Sequence, residues 1–526
     1  MKKINILLVA ASAMLFMASC DSFLDKLPDD RAELNTVEKV QSLLSTAYPN
    51  NSSNYALELS SDNFVDNGKS FRSQPNQEKY YRWEDVETTY NDDPKVLWSS
   101  GYEAVGTANV ALEALDALPQ NDHTRGLRAE ALLCRAFSMF QLANTFCMSW
   151  NPAKANEYLG LPYPKEAGVS VDTRGTLAEL FANINADIEA ALPMLNDAYL
   201  AVPKYHFNSK AAYAFAARFN LFYLNYDKAI EYASKVLGEN PKTVLRNYSI
   251  FPELAGPNDI KNAFLQSSEN ANLMLVTAYS LAGRLNNSGY FARFGTSTPV
   301  LRYELAWASM PWTVGVGYVN NTLYLARAFY GNAQMNVFPK MNEFFEYTDK
   351  VAGSGYAHIV DPVFTTDETL LVRAEAYALK KDYANALKDM NAWVETHCSL
   401  KKGKATRPTL TETLVNEFVN KADTVPAILK DDLERGFKKP MHPQGFTIEK
   451  GTQTNLLYII LHMRRLECLN QGMRFLDIKR YGIRFSHNVD GEDVPLIFEP
   501  GDLRGAIQLP QAVIQTGLQP NPRKGK

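Results

Sequence analysis

The chain lacks the residue patterns that most enzyme chemistry requires. Its five cysteines and seven histidines include no CxxC pair and no HExxH, so local sequence encodes neither a zinc knuckle nor a zinc hydrolase centre, and no metal or cofactor is expected. Basic runs are missing too. With a formal net charge of -4 and no Lys/Arg cluster to neutralise phosphates, the composition argues against nucleic acid as a partner. Asn67-Gly68-Lys69-Ser70 ends like a phosphate loop, but Asn63 stands where the first glycine is needed. Gly353-Ser354-Gly355 lacks the spacing of a nucleophile elbow. A glycosidase needs only two carboxylates at a set separation, which 58 acidic residues can always supply, so a polysaccharide hydrolase stays open as an alternative without positive support.

Only one long apolar run is present, and it lies at the start. Met1-Lys2-Lys3 precedes an apolar stretch from Ile4 to Met17, followed by Ala18-Ser19-Cys20. The stretch is shorter than the roughly 20 residues a transmembrane helix needs, so residues 1–19 read as a cleaved secretory signal. Small residues directly before Cys20 resemble a bacterial lipobox, which would make Cys20 the acylated, palmitate-bearing N-terminus of a lipoprotein. Residues 20–35 are acidic and aperiodic, as suits a tether that holds the body off a lipid surface. The other cysteines, Cys134, Cys147, Cys398 and Cys468, sit mostly in helical patterns. Buried free thiols are favoured there over a Cys134–Cys147 or long-range disulfide.

Helical periodicity dominates the rest, and the predicted fold class is mostly α with minor β content. Leu132, Ala136, Met139, Ala143 and Phe146 mark one apolar row, with Leu133, Phe137 and Phe140 beside it. Small and aromatic residues recur at the spacing of tetratricopeptide-like (TPR-like) helical hairpins over 208–238, with the turn Asn225-Tyr226-Asp227, and over 366–394, with the turn Lys381-Asp382-Tyr383. Weaker pairs cover 127–192 and 455–482. Between them, 241–362 is rich in Gly, Asn, Pro and aromatics, including Tyr318 and Tyr324, and reads as loops, short helices and a few strands packed on the helical scaffold. Binding residues collect on such segments.

Aromatics make up 11% of the chain, with 27 Tyr, leaving rings beyond those a core needs. Sugars present apolar C–H faces with hydroxyl rims, so they are held by aromatic plates flanked by polar or charged groups. Two clusters have that composition. One is Phe71, Arg72, Tyr80, Tyr81, Arg82 and Trp83; the other is Tyr290, Arg293, Trp307, Trp312 and Tyr330. Ordinary packing of loops on a scaffold is the competing account of each ring.

Several blocks, in order, resemble the SusD/RagB family. They are Asp21-Ser22-Phe23-Leu24-Asp25; Trp98, Tyr102 and Ala108-Asn109; Ala129-Glu130-Ala131 with Arg135-Ala136-Phe137; Leu161-Pro162; Thr176, Ile184, Asp187-Ile188 and Leu192-Pro193; Arg465-Leu466-Glu467, Gly472, Arg474, Asp477 and Arg480-Tyr481-Gly482; and Leu509-Pro510 to Asn521-Pro522. Arg464 departs from the acid common there, and Asn470-Gln471 from a more acidic pair. The i,i+3 spacing of Arg474, Asp477 and Arg480 predicts a structural ion-pair ladder. The resemblance implies one SusD-like body over 36–526 on a TPR-like scaffold, with 241–362 as the ligand-binding insert. It also implies a surface-exposed outer-membrane lipoprotein that passes a nutrient, an oligosaccharide in this reading, to a TonB-dependent SusC-like barrel without catalysis. A peptide ligand and a protein-binding TPR scaffold are the alternatives.

Overall fold

The computed structural model describes residues 34–168, 173–287, 289–313, 322–332, 334–400, 407 and 409–523. The leader, Cys20, the tether up to residue 33 and Tyr318 lie outside the described residues.

Helix starts follow from local chemistry. α1 (Pro94–Asp116) opens with proline, whose missing N–H is no loss in a first turn. α2 (Asp122–Phe146) begins ahead of its apolar rhythm because Asn121 and Thr124 form a capping box. The Asn121 side chain accepts from the Thr124 N–H at 3.0 Å, and the Thr124 hydroxyl accepts from the Asn121 N–H at 2.9 Å. α2 packs between α1 and α3 (Leu177–Ala191), and Phe137 and Phe140 meet further rings from α4 (Ser209–Phe222). Its wide apolar stripe is covered accordingly.

Two hairpins use one turn device. α4 joins α5 (Tyr226–Leu237), and α6 (Thr366–Leu379) joins α7 (Tyr383–His397). In each turn a non-glycine residue takes left-handed backbone, Leu224 at φ 63° and Lys381 at φ 65°. The next residue, Asn225 or Asp382, then caps the second helix with its side chain. Ala217, Ala229 and Ala233 in the first pair, and Ala374 and Ala386 in the second, are wholly buried, so the paired axes meet over methyl groups. The stack continues from α5 to α6 and on to α9 (Thr452–Glu467), which also touches α8 (Glu412–Lys421) and α10 (Met473–Tyr481).

Among the described residues strands are few, and every strand-to-strand ladder is antiparallel. β1 (Val65–Asp66), β3 (Phe294–Ser297), β4 (Tyr330–Gly331) and β5 (Met335–Val337) form a sheet in the order β1-β3-β5-β4. β2 (Asn272–Tyr279), β6 (Phe344–Asp349) and β7 (Ser354–Thr365) form a second in the order β2-β7-β6. β8 (Phe485–His487) and β9 (Leu496–Phe498) pair near the end of the chain. Most strands therefore come from 241–362. The architecture is mostly helical with minor sheet, as its periodicity indicates.

The predicted ladder on α10 forms only in its second half. Arg480 reaches Asp477 at 2.9 Å, whereas Arg474 turns away and clasps Asp62 with two bonds of 2.7 and 2.8 Å. Arg464 lies between Glu375 (3.2 Å) and Asp477 (3.1 Å) with no exposed side-chain surface. The four cysteines are free and buried. Burial pushes the Cys147 thiol up to about 11 and that of Cys468 to about 12, so these thiols are inert at neutral pH.

Candidate functional site

The β1–β3 ladder is the spine of the site. Val65 faces Gly295 and Asp66 faces Phe294, and the pairing runs on where Asn67 N–H donates to the Arg293 carbonyl at 2.8 Å. The chain then turns at Gly68, whose carbonyl accepts from the Phe71 N–H, and Arg72 donates its N–H to the Phe291 carbonyl and accepts from the Arg293 N–H. Sequence-distant halves of the two aromatic clusters are thereby brought side by side. The Arg72 guanidinium lies 6.0 Å from the Tyr290 ring centre, and Gln74 donates to the Tyr290 hydroxyl at 3.4 Å. Arg72 is exposed, Phe71 and Tyr290 are half-buried, and Phe291 is 48% exposed at a left-handed φ of 55°. A large ring held in solvent by unfavourable backbone signals a constraint other than packing.

Four of the rings predicted as ligand plates are core instead. Tyr80, Tyr81, Trp83 and Trp312 are buried, and their polar handles are spent internally where it matters. The Tyr80 hydroxyl donates to the Asp92 carbonyl (2.8 Å), the Tyr81 hydroxyl to the Asn488 carbonyl (2.9 Å) and the Trp83 N–H to the Ser60 carbonyl (2.9 Å). Tyr81 and Trp83 sandwich His487, with ring centres 3.9 and 4.6 Å away. Burial pushes this imidazole down to about 4, against the pull of two backbone carbonyls. Trp312 packs edge-on to Trp393, 5.3 Å away. A ring enclosed on both faces offers no plate to a sugar. Trp307 and Tyr330 are half-buried; the Trp307 N–H donates to the Ala326 carbonyl at 2.8 Å and Tyr330 sits opposite Val337 in β4. Arg293 clamps Asp66 through bonds of 2.8 and 2.6 Å and reaches Glu78 at 2.7 Å, and Arg82 bridges Glu78 and Glu492. Both arginines are committed to structure.

A cleft of ≈ 380 Å³ opens along the other side of the ladder, within the roughly 300–1,000 Å³ typical of small-ligand sites. Asp66, Asn67 and Tyr81 form one wall, the loop containing Val425 and Pro426 another, and β8 a third. An ionic network lies at its base. Glu304 accepts from Arg435 (2.9 Å), Lys439 (2.6 Å) and Arg465 (3.1 Å), while Asp62 accepts from Lys439 (2.6 Å) and Arg474 (2.7 Å). Burial works to raise both carboxyls, but the surrounding cations overcome it. Glu304 is held down to about 2 and Asp62 well below the usual carboxylate range. Tyr81, one of the predicted rings, lines the cleft edge, whereas Asp62, Arg435 and the buried Glu304 and Arg474 that they contact come from four separate segments that no local pattern joins. Phe291 was closer to hand, lying between Tyr290 and Arg293.

Among the described residues one further group has the composition of a metal site: Asp367, His397 and Glu467, all buried. Arg246 and Lys340 already face these carboxylates, and the His397 imidazole reaches Glu467 at 2.9 Å. A divalent cation would add positive charge where two cations stand.

These features define a helical ligand-binding protein, with a ring-bearing surface and an ion-floored cleft carried on a stack of paired helices. Residues 22–221 match the family described as "starch-binding associating with outer membrane", and residues 300–507 match the SusD family. The chain belongs to the SusD/RagB family. Solved structures agree in fold. A SusD superfamily protein from Bacteroides thetaiotaomicron is 18% identical, with 93% of this chain and 100% of that chain covered and a TM-score of 0.61. One from Bacteroides vulgatus is 15% identical, covering 94% and 99%, with a TM-score of 0.62. A SusD-like carbohydrate binding protein from the same species is 14% identical, covering 89% of each chain, with a TM-score of 0.57. No curated protein matches the chain. No helix among the described residues is long and apolar enough to cross a membrane.

Proposed function

We propose that the protein is a surface nutrient-binding lipoprotein of the outer membrane, anchored through Cys20, which binds an oligosaccharide and hands it unaltered to a TonB-dependent SusC-like barrel. The observation that carries this reading is the pairing of Phe71, Arg72, Tyr290 and Phe291 into one exposed ring-and-guanidinium surface beside a cleft, in a chain of this family. Ring faces cover apolar C–H surface while the guanidinium and Gln74 meet hydroxyls. Anchor and partner hold the site at the membrane, so modest affinity suffices because tethering raises effective concentration.

Isothermal titration of the soluble chain lacking residues 1–20 against a panel of oligosaccharides tests the reading, with chromatography of the recovered ligand. Binding of at least one glycan, returned intact, is expected, and Phe291→Ala should weaken it several-fold. Cleavage of the ligand, or silence across the panel, would overturn the reading.

A further inference from the structure

We infer that the open edge of strand β6 pairs, antiparallel and about a two-fold axis, with the same edge of a second copy of this chain, Phe345 facing Phe345 and Glu346 of each copy reaching Lys261 of the other. This goes beyond the glycan-binding reading, and either can fail without the other. Backbone supplies the first ground. In the order β2-β7-β6, strand β6 has β7 on one side and no strand on the other among the described residues. Alternate N–H and C=O groups along its outer side therefore face solvent, the template on which a further strand pairs. Proteins blunt such edges with lysine, proline or a covering element. Yet Phe344-Phe345-Glu346-Tyr347-Thr348-Asp349 holds neither residue, and every position is exposed or half-buried. The register slips between Tyr347 and Asp349, so 344–347 is the regular part of the edge.

The side chains add rings and charge. Phe345 and Tyr347 share one face with ring centres 4.8 Å apart, and Tyr347 is 54% exposed. Phe344 and Glu346 stand on the other face, opposite His358 and Tyr356 of β7. Lys261, on the helix Pro257–Leu265, is only 8% exposed and rests its ammonium on the Phe344 ring, 3.9 Å from the ring centre. It has no carboxylate or other acceptor among the described residues, and burial alone pushes it below the ordinary lysine value. Glu346 is the converse, a largely exposed carboxylate whose one ionic partner among the described residues is His358, at 2.8 Å. A cation without an acid and an acid without a lysine or arginine thus lie along one open strand.

Side-chain facing selects the register. Residues paired across an antiparallel ladder share a face, so the axis passes through a residue rather than between two. With Phe345 on the axis, Phe344 stands opposite Glu346 of the second copy, and that carboxylate arrives beside the ring on which Lys261 rests. Symmetry makes the match twice, and Phe345 and Tyr347 of both copies close into one four-ring cluster through direct and diagonal neighbours. An axis at Glu346 would instead set two carboxylates face to face, and one at Tyr347 would run the pairing into the irregular end. A single strand pair is a weak contact by area, and copies confined to one membrane surface, as under the anchoring proposed above, meet at raised effective concentration.

Cysteine pairing on the soluble body lacking residues 1–20 reads contact and register together, because its four native thiols are buried and free. Residues facing across an antiparallel pair hold their Cα atoms about 4.5–5.5 Å apart, a separation a disulfide spans. Phe345→Cys should therefore form an intermolecular disulfide at least tenfold faster than Val351→Cys, placed at the fully exposed hairpin turn. Sedimentation equilibrium of the unaltered body should show dimer growing in up to about 0.5 mM protein, where weak interfaces assemble. Lys261→Glu and Glu346→Lys should each weaken the dimer threefold or more, and the two together should restore it. Tyr347→Lys replaces a ring already in water, keeps the fold and should abolish the dimer, so the test stands even where Lys261→Glu unfolds the chain. A body that stays monomeric throughout, equal disulfide rates for the two cysteine variants, or a dimer unmoved by Tyr347→Lys overturns the inference and leaves the glycan-binding reading as it was.

Discussion

At the scale of single residues, burial separates rings open to solvent from rings that hold the fold. Tyr81 has van der Waals partners on both faces, including His487 at 3.9 Å and Phe294 at 4.8 Å. Removing it should cost about 3–5 kcal/mol of stability, read as a drop in the urea midpoint. Phe291→Ala removes a ring already in water and should change stability by no more than about 0.5 kcal/mol, its effect appearing in ligand affinity instead. His462 gives a sharper case. Both ring nitrogens are buried without a partner among the described residues, and burial pushes the imidazole down to about 3 from 6.5. The unfolded chain therefore binds a proton more readily than the folded one. The associated stability is complete above pH 6.5 and drains away as pH falls toward 3. His462→Leu should flatten this stretch of the stability–pH curve and leave neutral stability equal or higher.

At the scale of elements, the junction of α9 and α10 fastens the helical stack to the amino-terminal segment that carries Asp62 and Leu57. Gly472 precedes α10 at φ 69°, and a Cβ there would meet the Leu57 Cβ at 2.7 Å. Gly472→Ala should lose roughly 1–3 kcal/mol through backbone strain alone, measurable by thermal melting. Arg464→Met leaves Glu375 and Asp477 with less compensation in a dry interior and should cost about 3–5 kcal/mol. Glu304 and Asp62 tie the same junction to the cleft. For Glu304, held at about 2 against an ordinary 4.5, the stabilisation is present above pH 4.5 and lost as pH falls toward 2. Acid unfolding monitored by circular dichroism should accordingly begin below pH 4.5.

At the scale of the whole molecule, the helical stack fixes positions while the sheet-bearing insert and segments distant from it in sequence line the candidate site. A body tied to the membrane by lipid needs little intrinsic affinity. Cys20→Ser in cells should therefore abolish palmitate incorporation and depress glycan uptake far more than it changes the affinity of the purified body.

The hairpins were legible because helical periodicity, alanine spacing and Asx caps act within a few residues. The turns at Leu224-Asn225 and Lys381-Asp382 fall where local chemistry places them. The same locality made Tyr80, Tyr81, Trp83 and Trp312 look like plates, since an aromatic beside a turn reads alike whether another segment covers it or not. Phe71 and Arg72 meeting Tyr290 and Phe291, Arg474 choosing Asp62 over Asp477, and Arg435 reaching Glu304 all join positions far apart in the chain. The sequence by itself determined the helical class, the hairpin turns and the family pattern, because periodicity and caps are short-range. Which rings face water and which charges face one another were decided only by tertiary packing, since burial belongs to the neighbours a residue acquires.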